Sequence, residues 1–223
     1  MKDHFKLQRL MAINQLIKEG YLKSSKIIRA MKKVKRELFM PVKYSKYAYA
    51  DQPFPIPPYN GLQTISALHT YPIFYEPLKL KGSDKFLEIG MGSGYGSAVA
   101  KELIGKKGVV VSIEKNRKTY MFGKRNLSRT GYKDVITIND DGTKGYEKMA
   151  PYDKICVTAS CNKIPEPLIE QLAKPGILII PIGPKHPSQD LVMVEKDVSG
   201  KITKRKILEV IYVPLIGKHG YEN

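Results

Sequence analysis

The chain has 223 residues, 42% of them hydrophobic, which suits one globular domain with a buried core and no need of covalent staples. Its 38 basic against 21 acidic residues give a formal net charge of +17; the cations run along the whole chain in modest clusters such as "RAMKKVKRE" and "KITKRK", without the paired aromatics of an RNA-reading motif, so nucleic acid is not the expected partner. No signal segment opens the chain, no apolar run approaches the ~18 residues of a membrane span, and Cys156 and Cys161 fit no metal spacing, so a reducing cytoplasm, no membrane and no metal are expected.

In chain order, residues 5–19 and 25–39 read as amphipathic helices. In the second, Ile27, Met31, Val34 and Leu38 recur at helical spacing, Ser24 or Ser25 offers an N-cap, and Pro41 stops it. Residues 41–63, "PVKYSKYAYADQPFPIPPYNGLQ", carry five prolines and four tyrosines and read as a long ordered loop, a feature usually tied to function. From residue 85 strands alternate with helices: strands at 85–89, 109–114, 135–139, 153–158 and 176–182, helices at 96–104, 116–129 and 164–173. That alternation predicts an open, mostly parallel sheet covered by helices on both faces. After residue 183 only strands and turns follow, "DLVMVEKD" and "ILEVIYVPLI", an antiparallel pair closing one edge. The expected division is residues 1–63 as N-terminal helices and active-site loop, packed on a core at 64–223.

Glu88-Ile89-Gly90-Met91-Gly92-Ser93-Gly94 misses the G-x-G-x-x-G spacing of a dinucleotide site. It fits the E/D-x-G-x-G-x-G loop of class I methyltransferases at every fixed place. A pyrophosphate disfavours a nearby carboxylate. S-adenosyl-L-methionine, with a sulfonium and an ammonium and no phosphate, is favoured by one. The next strand ends in Glu114, twenty residues beyond Gly94, where an acid can take both ribose hydroxyls. The third ends "ITINDDGTKG", where Asp141 can accept from the adenine amino group and Gly142 leaves room for the ring. "IPPY" at 56–59 lacks the polar first residue of the amine-methylating N/D-P-P-Y motif and reads as a rigid loop.

"YADQPFPI", "LQTISALH", "FLEIGMGSGYGSAV", "DDGTKGYEKMAPYDKICVTAS", "IPEPLIEQLAKPGILIIPIG" and "VIYVPLIG" occur in this order. Together they resemble the protein-L-isoaspartate (D-aspartate) O-methyltransferase family over nearly the whole chain, with the C-terminal "GKHGYEN" similar to archaeal members. The resemblance implies a class I, Rossmann-like α/β fold and methyl transfer from S-adenosyl-L-methionine to the free α-carboxylate of an isoaspartyl residue in damaged proteins. That ester starts repair through a succinimide. A carboxylate is already ionised at neutral pH, so the chemistry needs orientation and dryness more than a base.

Carried over residue by residue, Ser66 is the catalytic hydroxyl that orients the acceptor, while Gln63, Thr64 and Ile65 cover the cofactor beside Glu88, Gly90, Gly92, Gly94, Glu114, Asp141 and Gly142. Thr64, Ser66, His69 and the run Val213-Pro214-Leu215 border the acceptor. Taken alone, Ser66 reads better as a helix N-cap, and His69 reads equally as a cleft or a packing residue. Two departures fall on the acceptor side: the glycine of "NGLQTIS" stands one place early, and Tyr71 occupies a position that is often small, apolar or histidine in the family. Isoaspartyl peptides are the expected partners, and a monomer the expected state.

Overall fold

The computed structural model describes residues 2–61 and 63–222. Its centre is a seven-stranded sheet in the order β5-β4-β3-β6-β7-β8-β9. The parallel part comprises β3 (Lys85–Ile89), β4 (Val109–Ile113), β5 (Ile136–Ile138), β6 (Tyr152–Val157) and the start of the pairing with β7 (Leu172–Ile182). β8 (Gln189–Lys196) and β9 (Ile202–Val210) then add antiparallel, so the expected edge pair is present. A separate two-stranded ribbon joins β1 (Phe54–Pro55) to β2 (Thr64–Ile65).

Side-chain alternation along the strands sorts the core into two layers. Phe86, Val110, Cys156, Ile179 and Met193 face one side with α3 (Thr70–Leu78), α4 (Tyr95–Ile104), α5 (Arg117–Arg129) and the N-terminal helices. Leu87, Val111, Ile155, Leu178 and Val194 face the other, toward α6 (Glu166–Glu170). The first layer is continuous with Ile13, Leu16, Ile27, Met31 and Phe39, so α1 (Lys2–Lys18) and α2 (Ser25–Lys33) share the sheet's core.

Three expected elements differ. The second helix stops at Lys33, with Val34 extended, and a single 3-10 turn follows at Arg36–Phe39. A continuous helix would carry Arg36 to the side opposite Ile27 and Met31, whereas the break turns it inward, fully buried. Ser24 makes no side-chain cap on this helix; the amides just ahead of it, at Lys23 and Ser24, donate to the Glu76 carboxylate at 2.8 and 2.7 Å. The helix expected at 164–173 shrinks to five residues, because β7 already begins at Leu172 and shares its backbone with β6. The loop at 41–63 contains a 3-10 turn, Val42–Tyr47, and β1. Its "IPPY" stretch is a fixed strut: Ile56 is buried and the Thr119 hydroxyl of α5 donates to the Pro57 carbonyl at 2.7 Å.

Candidate active site

One cleft of about 1310 Å³ opens where β3, β4 and β6 end, the usual place for a ligand in an open α/β sheet. Its lining takes in nearly all of the expected residues: Gln63, Thr64, Ile65, Ser66, His69, Glu88, Gly90, Gly92, Glu114, Gly142, Val213, Pro214 and Leu215. The cleft thus joins two ends built by different means.

The first end is the glycine loop. Gly90, Gly92 and Gly94 all have positive φ, at 95°, 54° and 84°, a region open to glycine and costly to other residues. A Cβ at Gly90 would stand 2.3 Å from the Thr158 hydroxyl, and one at Gly142 would stand 2.5 Å from Ile89. Gly94 differs: it caps α4 and lies against Leu127 and Gly123 of α5, away from the cleft lining. Its lack of a side chain serves the packing of the two helices.

Glu114, one residue past β4, holds the Gly92 amide at 3.1 Å with one carboxylate oxygen and the Asn116 amide at 3.0 Å with the other. Burial pushes its carboxyl above the ordinary range, while those amides oppose the shift. Each oxygen keeps acceptor capacity toward the cleft. The Gln63 side-chain oxygen is buried without a partner and borders the same space. A bidentate acid, an orphan acceptor and a glycine-rich loop match the hydroxyls, ammonium and close backbone approach of S-adenosyl-L-methionine, so the residues present fit that cofactor.

Two acids are used otherwise than the sequence reading expects. Glu88 is 2% exposed, and one of its oxygens accepts from the hydroxyls of Ser97 and, at 2.6 Å, Ser112. Burial pushes its carboxyl up to about 7 against those two donors. It is a post beneath the loop before it is a partner for a cation. Asp141 stands outside the cleft lining. One oxygen accepts from the Thr143 amide and hydroxyl at 2.9 and 2.7 Å, and the other from the Lys218 amide at 2.8 Å. Its carboxylate therefore pins the C-terminal segment. Only Gly142 of that pair borders the space.

The second end carries Ser66, His69 and residues 208–216. Ser66 is not a helix cap: α3 begins at Thr70, four residues on. His69 faces the cleft and is held by Asp51, whose carboxylate takes the ring nitrogen at 2.9 Å and the backbone amide at 3.0 Å. The hydrogen bond to Asp51 raises the His69 pKa against partial burial, and the pairing holds Asp51 below its ordinary value despite burial. The Val213-Pro214-Leu215 run is locked beside β6: the Ser160 amide donates to the Val213 carbonyl at 2.8 Å, and the Leu215 amide donates back to Ser160 at 2.7 Å. Tyr212 precedes the run with a buried phenol pushed up by burial, opposed by the hydroxyls of Thr70 and Ser66. Tyr212, Thr158, Gly96 and Asp51 lack a local sequence signal for these places. All four stand inside quoted motifs, but nothing in those motifs singled them out.

The family model described as protein-L-isoaspartate(D-aspartate) O-methyltransferase matches residues 7–220. A protein-L-isoaspartate O-methyltransferase of Methanococcoides burtonii is 46% identical over 88% of this chain and 94% of its own length. Protein-L-isoaspartate O-methyltransferase 1 of Archaeoglobus fulgidus is 48% identical over 89% and 88%. A solved protein-L-isoaspartate O-methyltransferase superposes with a TM-score of 0.83 at 30% identity, covering 95% of this chain and 67% of that one. A putative Plasmodium falciparum counterpart, 24% identical over 93% and 98%, shares the fold with a TM-score of 0.82. With the cleft, its glycine loop and its TIS element in place, the chain belongs to the protein-L-isoaspartate (D-aspartate) O-methyltransferase family.

Proposed function

We propose that this enzyme methylates the free α-carboxylate of isoaspartyl residues in peptides and proteins, and so starts their repair. The observation that carries the reading is the continuity of the cleft: the Glu114 carboxylate at one end and the hydroxyl residues Ser66 and Thr70 at the other line one space. S-adenosyl-L-methionine, the cofactor, supplies an electrophilic methyl group on a sulfonium when bound. Glu114 would receive the ribose hydroxyls and Gln63 a donor of the same molecule, with Gly90, Gly92 and Gly142 leaving room for close approach. The ribbon strand Thr64–Ile65 passes over the loop, so that a Cβ at Gly92 would stand 3.7 Å from the Thr64 carbonyl. This cover excludes water from the transfer path.

At the acceptor end, Ser66 donates its hydroxyl to the substrate carboxylate and keeps its own proton throughout. No general base is required, since the nucleophile arrives ionised. His69, held by Asp51, presents a ring edge at the rim that favours an anionic residue at any pH below its raised pKa. Val213, Pro214 and Leu215 offer a fixed apolar edge to the rest of the peptide.

The test is methyl transfer from labelled cofactor to three acceptors: an isoaspartyl peptide, the matching aspartyl peptide and bulk RNA. Transfer to the isoaspartyl peptide alone is expected. Transfer to RNA, or equal transfer to both peptides, would refute the reading.

A further inference from the structure

Arg36 has no part in the sequence motifs above, yet it is the largest fully buried side chain of the molecule. Its Nε donates to the Ala48 carbonyl at 2.7 Å and one terminal nitrogen donates to the Ser66 carbonyl at 2.8 Å. The other terminal nitrogen is buried without a hydrogen-bond partner. Among the described residues no carboxylate pairs with it within 4.0 Å. The rings of Tyr71 and Tyr95 lie 5.9 and 5.4 Å from the guanidinium carbon.

A cation taken out of water without an anion costs several kcal/mol, and carbonyls with aromatic faces offset only part of that cost. Anchoring the N-terminal segment does not call for it, because Phe39 and Met40 already bury their side chains in the core nearby. What separates Arg36 from the cleft is one layer of side chains, Ser66 and Tyr71, both of which line it. Burial pushes the Tyr71 phenol up, and the Arg36 guanidinium and Ser66 amide pull it back.

We infer that Arg36, with Tyr71 against it, is a positioning residue of the acceptor end: it pins the Ser66 backbone and lends the cleft wall a buried positive charge that favours the substrate carboxylate. This rests on the functional reading above. It also gives Tyr71 a purpose: the ring closes the wall in front of the cation and passes its field on through the phenol. Arg36 itself touches neither substrate nor cofactor.

Two substitutions separate pinning from charge. Arg36→Lys keeps the charge, but one ammonium cannot reproduce the fork that spans both carbonyls. It should lower kcat on the isoaspartyl peptide roughly 10-fold and leave KM within about threefold. Arg36→Met loses both and should also raise KM at least about 10-fold, as expected for a lost charge-assisted contact. Tyr71→Phe keeps the ring and should raise KM a few-fold. In all three, binding of S-adenosyl-L-homocysteine should stay within about twofold of wild type, a readout that general loosening would not spare.

The inference fails if cofactor affinity falls in step with turnover, or if Arg36→Lys and Tyr71→Phe match the wild type. Those two conservative changes decide the matter should Arg36→Met not fold. A wild type that ignores the isoaspartyl peptide overturns the functional reading and this inference with it; a wild type that turns it over while the variants do likewise overturns this inference alone.

Discussion

The two ends of the cleft are made differently. Most of the cofactor end comes from one continuous supersecondary unit: β3, the glycine loop, α4, β4 and Glu114 fall within residues 85–114, with Gln63 and Gly142 joining from outside it. The acceptor end is gathered from residues 36, 48–51, 63–71 and 208–216, joined through Arg36, the Asp51–His69 pair and the Ser160 backbone. A ligand common to many enzymes is met by short-range geometry, while the feature that selects the substrate depends on contacts between parts far apart in the chain. The cofactor end should therefore tolerate damage to the acceptor end, and the two should fail separately.

The largest effect expected is at Ser66. Ser66→Ala should cut methyl transfer roughly 10²–10³-fold, the usual loss for one oriented donor in a dry site. Calorimetry with S-adenosyl-L-homocysteine should give wild-type affinity; a parallel loss would show that the two ends are not independent. Glu114→Ala is the converse. Removal of its charge-assisted bonds should weaken S-adenosyl-L-homocysteine by about 1.5–3 kcal/mol, roughly 10- to 150-fold in Kd, with the acceptor KM little changed.

Glu88 sharpens the comparison by pH. Its carboxyl titrates at about 7 in the folded protein and near the ordinary 4.5 when unfolded, because burial disfavours the charged form. The folded state therefore holds the proton more tightly. Its cost to stability is absent below the unfolded value, grows between about 4.5 and 7, and is complete above. Glu88→Gln should raise Tm at pH 8, by as much as about 3 kcal/mol of stability, and flatten the fall of Tm across that window. Scanning calorimetry at pH 5 and pH 8 would reveal a shift of opposite sign if the carboxylate stabilises the loop as an anion.

The smallest effect belongs to the rim. Asp51 raises the His69 pKa, so the imidazolium persists above its ordinary value of 6.5 and is lost as pH rises through the shifted one. The KM for isoaspartyl peptide should accordingly rise with pH past that point, and Asp51→Asn should move the rise to lower pH. An unchanged pH profile in Asp51→Asn would remove His69 from acceptor recognition.

The same division governs how much could be read in the sequence. The alternation of strands and helices and the loop Gly90–Gly94 are local patterns, and strand β3 and the positive-φ turns lie where the pattern puts them. The family motifs brought Ser66, His69 and Val213–Leu215 to the same cleft. What escaped was hydrogen-bond bookkeeping. An acid at a strand end reads the same whether its oxygens take amides beside the cleft, as those of Glu114 do, or two serines and a distant backbone, as those of Glu88 and Asp141 do. Arg36 escaped because lysines and another arginine surround it in a run that reads as a solvated helix face, and only the break after Lys33 turns it inward.

The free edge of the sheet adds a consequence of its own. β9 has a neighbour on one side only, and its outer backbone groups are open to any strand that could lie beside them. Such edges are where sheet proteins stick to one another. Lys204, Arg205 and Lys206 are consecutive and exposed, so their side chains alternate to both faces of this edge. A second copy that approached edge to edge in a register that aligned these residues would bring three cations against three more. Part of the chain's excess of basic residues is thus placed where it guards against aggregation, a use of charge that requires no polyanion.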